Sequence, residues 1–303
     1  MSLWRIRLLA RGSLEGFVRS GGTRLAAAIA YYALLSLFPL VIVIVAGANA
    51  LLPVEGVRDE VVDRIVEPLP LSGDGSADLR DVLLEAGESA GAVGIAGLVG
   101  LLWTAGGLMG AIRSGLTEVT GDARPRPFLR GKAVDILMVL VTGLLFLCAA
   151  AATIVVRVAD EEVLGPLGLS GVAGGLLGAG ATVAFAAATF VVLLRFVPAR
   201  PVPWRGALPG ALAGAVALYA LATGFGLYVG NFGRYNAVYG SLGAVAAFLV
   251  FAFLAAIVLL VAASLAACWP EVADRRRPPE PDPYGRPASE RVRRALAGLV
   301  VRR

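Results

Sequence analysis

The chain has 303 residues, 58% of them hydrophobic and only 16% charged, with a net charge of +5 and no histidine. A soluble domain is about 25% charged, so this composition, with a mean hydropathy of +0.79, excludes a string of ordinary soluble domains. The missing histidine removes histidine acid–base catalysis, serine–histidine–aspartate triads and histidine-ligated metal centres.

Residues 1–24 open the chain. Leu3, Trp4, Leu8, Leu14, Phe17 and Val18 are interleaved with Arg5, Arg7 and Arg11, the pattern of an amphipathic helix at a cytoplasmic membrane surface. The segment lacks the apolar centre of a cleavable signal peptide, so the first span is expected to act as an uncleaved anchor. Six stretches free of Asp, Glu, Lys and Arg follow. They run for 30, 24, 21, 32, 28 and 36 residues, and a bilayer span needs about 20. The pattern predicts an all-α, polytopic integral membrane protein with six transmembrane helices near 26–52, 91–113, 134–157, 171–195, 206–230 and 239–268. These make a membrane domain over 25–270.

Between the first two spans lies a loop, 53–90, with ten acidic and three basic residues. Val54, Val57, Val61 and Ile65 form one helical stripe there, and Leu79, Val82, Leu83 and Ala86 another. Two short helices under an acidic outer surface are expected. Beyond the last span, 271–303 is an Arg/Pro-rich tail. Four prolines between Arg277 and Tyr284 make its first part an extended linker. Val292, Ala295, Leu296, Leu299 and Val300, flanked by arginines, then predict a short helix at an anionic leaflet.

Charge orients the whole. Residues 1–24, 113–132, 195–205 and the tail hold 22 of the 27 basic residues. Positive loops stay in the cytoplasm, so both termini are expected there. No charge is expected deep in a span: Asp135 sits one turn from Lys132, and Arg113, Arg157, Arg195 and Arg205 lie near helix ends, where they can snorkel. Small residues four apart, at Gly106/Gly110, Gly174/Gly178 and Gly206/Gly210/Gly214, allow close helix approach. That packing is expected within one chain, with homodimerisation through one such face as the alternative. Pro39 and Pro209 fall inside spans and predict kinks, and Ser36 is placed to bond a carbonyl freed by Pro39. Cys148 and Cys268 lie at different depths, and no disulfide is expected.

The run Arg24-Leu-Ala-Ala-Ala-Ile-Ala-Tyr31-Tyr32-Ala-Leu-Leu-Ser36-Leu-Phe38-Pro39 resembles the opening signature of the YihY/BrkB family of bacterial inner-membrane proteins. Further matches follow in order: Trp103, Gly107 and Arg113; Arg195-Phe196-Val197-Pro198; Trp204-Arg205-Gly206-Ala207-Leu208-Pro209-Gly210; and Tyr235-Asn236-Ala237-Val238-Tyr239-Gly240-Ser241. The resemblance covers about 15–270. It departs at Ala262-Ala263-Ser264-Leu265-Ala266, where the family often has Gly-Ala-Glu-Leu-Asn, and at Leu116-Thr117, where Leu-Asn is common. The resemblance implies a multi-pass protein of the bacterial plasma membrane, with links to lipid or envelope transport and to sodium–proton exchange.

Several functions can be weighed on the residues. Metal-dependent RNA cleavage needs clustered carboxylates or histidines facing RNA. The one acidic cluster, Asp59, Glu60, Asp63 and Glu67, falls on the predicted outer side. Nuclease activity and a nucleic-acid partner are therefore not expected, nor is any enzyme activity or cofactor. The leading expectation is a transporter or flippase for a lipid or envelope-related amphipathic anion, its headgroup held by arginines at the cytoplasmic face. The alternatives are a non-transporting envelope scaffold and an exchanger of small cations or protons. Membrane lipids with anionic headgroups are the expected partners. The polar and kink-forming members of the matched motifs are the expected substrate-binding or gating residues: Arg24, Tyr32, Ser36, Pro39, Arg113, Arg205, Pro209, Tyr235 and Tyr239.

Overall fold

The computed structural model describes residues 3–51, 90–121, 128–159, 172–198, 201–231 and 236–274. Among these the chain is all-helical, with seven helices. They are α1 (Leu3–Arg19), α2 (Gly22–Leu51), α3 (Ala90–Val119), α4 (Phe128–Ala159), α5 (Val172–Phe196), α6 (Trp204–Asn231) and α7 (Asn236–Asp274). The acidic loop as far as Ser89, the tail 275–303 and Tyr235 lie outside the described residues, and so do the short helices expected in that loop and tail.

Three stretches of the described residues are long and apolar enough to cross a membrane: Gly174–Phe196, Trp204–Val229 and Val245–Pro270. Shorter apolar stretches occupy Gly22–Leu37 in α2 and Ala133–Leu145 in α4. Large apolar side chains point outward along most helices, among them Leu98 and Leu102 of α3, Leu137, Leu140 and Leu144 of α4, and Leu176 and Leu177 of α5. Soluble monomers rarely expose contiguous apolar surface on this scale. The outward faces suit lipid.

Glycine governs the packing of α6 on α7. On α6, Gly206, Gly210 and Gly214 recur every four residues on one face, while Leu208, Leu212 and Val216 face away. The glycine face lies against Ala262 and Ala266 of α7. A methyl group at Gly210 would stand 2.6 Å from the Ala266 Cβ and 2.9 Å from the Ala262 carbonyl oxygen, and one at Gly206 would overlap the Ala266 carbonyl. Phe190 of α5 closes the third glycine position, Gly214. The repeat therefore works inside the chain. Lipid offers no hydrophobic gain for joining two apolar helices, so close van der Waals approach must hold them. Farther along the pair, Phe225 and Phe251 meet with ring centroids 5.3 Å apart.

The helix α1 docks on α7. Leu9, Ser13 and Phe17 form its buried face. The Ser264 hydroxyl donates to the Ser13 carbonyl oxygen at 2.8 Å, and a methyl at Gly16 would overlap that hydroxyl. Arg11, Leu14, Glu15 and Val18 face outward, with Arg11 Nε donating to Glu15 Oε1 at 2.8 Å. Gly21, at φ 66°, turns the chain into α2, a conformation that side chains with a Cβ resist. The Phe17 ring packs on Gly22. Cys148 and Cys268 are not joined in a disulfide. Replacing Ser264 with alanine removes the α1–α7 hydrogen bond and is expected to lower stability by about 1 kcal/mol. Thermal unfolding in detergent checks this, and an unchanged midpoint would argue against the docking.

These contacts gather the starts of α2, α4 and α6 and the ends of α3, α5 and α7 at one end of the bundle. The most deeply buried side chains lie in that layer: Leu116, Leu194, Val197 and Leu260. Arg195 secures the α5–α6 turn there, with its guanidinium 5.5 Å from the Trp204 ring centroid and Nη1 donating to the Val202 carbonyl at 3.4 Å.

Candidate functional site: a glycine-floored cleft with a buried ion pair

At this same end, α2 and α4 both pack on α3 and make little contact with each other. A strip of α3 is left open between them, forming a cleft of about 620 Å³. Its floor is Gly106, Gly107, Gly110 and Ala111 of α3, one wall is Leu25, Ala28 and Tyr32 of α2, and the other is Gly131 and Asp135 of α4. Arg113 and Ser114 complete the lining. Two consecutive turns of α3 thus present little beyond backbone, which gives the cleft its depth.

Each wall leans on a glycine. A methyl at Gly107 would stand 2.8 Å from the Tyr32 ring, so the ring lies directly on the α3 backbone. Tyr31 braces it edge-on at 5.7 Å. Across the cleft, a methyl at Gly131 would stand 3.4–3.5 Å from Cζ, Nη1 and Nη2 of Arg113. Those near-equal distances place one face of the guanidinium against the glycine.

The charged end of the cleft is a two-pronged ion pair. Arg113 Nε donates to Asp135 Oδ1 at 2.8 Å, and Nη2 donates to Oδ2 at 3.2 Å. Asp135 is 2% exposed. A buried carboxylate is tolerated when paired and hydrogen-bonded. The fork uses two of the five guanidinium N–H groups, and among the described residues Nη1 has no partner. Arg113 is also the more exposed partner, its side chain 28% exposed against 3% for Asp135. No cluster of three or more metal-ligating carboxylates or thiols occurs among the described residues.

The expected site residues separate. Tyr32 and Arg113 line this cleft. Arg24 is exposed on the first turn of α2 and folds back toward Gly21. Ser36 donates to the Ala33 carbonyl at 2.8 Å, not to the Leu35 carbonyl that Pro39 leaves unbonded. Pro39 rests 3.7 Å from the position of a methyl at Gly100 of α3. Arg205 is exposed at the start of α6, and Pro209 is half-buried one turn later. Tyr239 falls in the first turn of α7.

Sequence reasoning passed over Asp135, Gly107 and Gly131 as site residues. It set Asp135 beside Lys132, whereas the structure pairs it with Arg113. A signal was available. Arg113 and Asp135 lie at similar distances from the α3–α4 turn, and an antiparallel hairpin brings such positions level.

The family model for "Virulence factor BrkB" matches residues 13–285. The chain belongs to this family. Among its relatives, a UPF0761 membrane protein of Rhodospirillum centenum is 28% identical over 261 residues, covering 86% of this chain and 57% of the relative. One from Chromohalobacter salexigens is 31% identical over 273 residues, covering 88% and 63%. Another, from Ralstonia nicotianae, is 29% identical over 270 residues, covering 88% and 59%. The chain thus spans about 57–63% of the length of these relatives. No solved structure matches it. Family and outward apolar faces agree: this BrkB-family chain is a membrane protein.

Proposed function

We propose that this BrkB-family protein moves an amphipathic anion of the lipid or cell-envelope class through a bacterial plasma membrane, as a six-span bundle with cytoplasmic termini. The supporting observation is the cleft, with the Arg113–Asp135 ion pair at one end and an apolar, glycine-floored strip leading away from it. A headgroup fits the first and an acyl or prenyl chain the second. The helix lengths are compatible with six spans: α2 and α3 have 30 residues each and α4 has 32, or about 45 Å at 1.5 Å per residue, against a hydrocarbon core of about 30 Å.

The test is reconstitution of the full chain in liposomes carrying a fluorescent phospholipid in both leaflets. Reduction by external dithionite then reports movement between leaflets. Wild-type protein is expected to make the inner-leaflet probe accessible. Gly107→Leu, which crowds the Tyr32 ring and fills the floor, is expected to return the rate to that of protein-free vesicles. A wild-type rate equal to that of protein-free vesicles would contradict a flippase, and equal rates for wild type and Gly107→Leu would remove the cleft from the path.

A further inference from the structure

Arg113 does not present a bare positive charge. Its carboxylate partner is attached through two hydrogen bonds and is almost wholly buried, so the pair is neutral as a unit. The Arg113 side chain is 28% exposed and that of Asp135 only 3%, so a ligand in the cleft meets the guanidinium first and the Asp135 carboxylate behind it. Its attraction is a difference between a near positive charge and a slightly farther negative one. That attraction grows in proportion to the ligand's charge, whereas the cost of stripping water from an ion grows as the square of its charge. A half-cancelled site therefore gains little from a second negative charge and meets a much greater desolvation cost.

From this we infer that Asp135 is a positioning and specificity residue, which sets the cleft to take a singly charged phosphodiester headgroup and to reject a doubly charged phosphomonoester. The inference rests on the lipid-handling reading above. Asp135 acts through Arg113. The fork fixes the guanidinium plane, and Gly131 supports one face. The ligand source is a lipid, because the same face of α3 continues from Arg113 and Gly110 through Gly107 to Trp103. That indole is 80% exposed and lies about 15 Å along the helix from Arg113 at 1.5 Å per residue. Leu35 of α2 and Leu137 of α4 are also exposed on the flanking helices. A soluble phosphodiester would leave this apolar strip uncovered.

The experiment measures binding of dioleoyl phosphatidylglycerol and dioleoyl phosphatidate to the purified full chain in detergent, by native mass spectrometry. It is run at pH 8, where the phosphomonoester carries close to two charges. Wild-type protein is expected to prefer phosphatidylglycerol several-fold. Asp135→Asn keeps an oxygen acceptor for Arg113 but leaves a net positive site, and is expected to abolish or invert that preference. Asp135→Glu is expected to restore it with weaker binding of both lipids. Should Asp135→Asn fail to fold, the neutral pair R113Q/D135N takes its place, with loss of both the preference and the tight binding expected. Binding that requires Arg113 but keeps the same lipid ratio in Asp135→Asn would overturn the inference and leave the lipid-handling reading standing. A preference that survives in R113Q/D135N also overturns it. Competition by glycerophosphoglycerol as strong as that of the whole lipid would overturn the lipid source. If wild type binds neither lipid, the reading and the inference fall together.

Discussion

Breaking the cleft's ion pair from its positive side is expected to cost more than breaking it from its negative side. Arg113→Ala strands Asp135, whose side chain is 3% exposed, whereas Asp135→Ala strands Arg113, whose side chain is 28% exposed. Removing one partner of a buried pair costs about 3–5 kcal/mol. The arginine substitution should fall toward the upper end and the aspartate substitution toward the lower, because water can partly solvate the abandoned guanidinium. Replacing both charges together, in R113Q/D135N, should recover most of the loss, since no uncompensated charge remains. Thermal unfolding of wild type, R113Q, D135N and R113Q/D135N in one detergent forms a double-mutant cycle. Additive losses would show that the pair does not act as a unit.

Gly210→Leu is expected to be poorly tolerated. Its first side-chain atom would press on the Ala262 carbonyl and the Ala266 Cβ, and neither has a flexible end that could swing aside. The two helices must separate, at a cost of about 3 kcal/mol or more. Little folded, monodisperse protein should survive extraction. Gly224→Leu is the control on the same helix, because a side chain there meets no atom within 4 Å. It should melt close to wild type, because the added leucine replaces helix surface already open to lipid. Equal melting of the two variants would mean that α6 and α7 do not pack through their small residues.

These two expectations draw on different amounts of sequence information. The glycine repeat at 206, 210 and 214 is readable from spacing alone, because a helix places every fourth residue on one face. Spacing also announces that such a face allows close approach. It does not announce the partner. Ala262 and Ala266 carry an equally plain small-residue pattern in an apolar run, and only the packed bundle joins the two faces. The N-terminal helix shows the same limit. Its amphipathic character is plain in the sequence, but Leu14 and Val18 point outward while Leu9, Ser13 and Phe17 meet α7. A serine on the buried side breaks the apolar stripe, and its carbonyl finds a partner 251 residues away.

Composition and local order determined the class of this protein. Long uncharged runs must be helices in lipid, because no water is present there to satisfy an open backbone, and the order of its motifs marked the family. Tertiary structure decided the site. Arg113 looked like a lone cation at a helix end, and Asp135 like the neighbour of a lysine, because charge pairing in sequence is visible only within a turn or so of helix. The α3–α4 hairpin brings the two charges together over Gly131. The separation of α2 from α4 opens the strip of α3 beside them. Both depend on which helices touch, and van der Waals packing between apolar faces leaves too faint a trace in one sequence to say which.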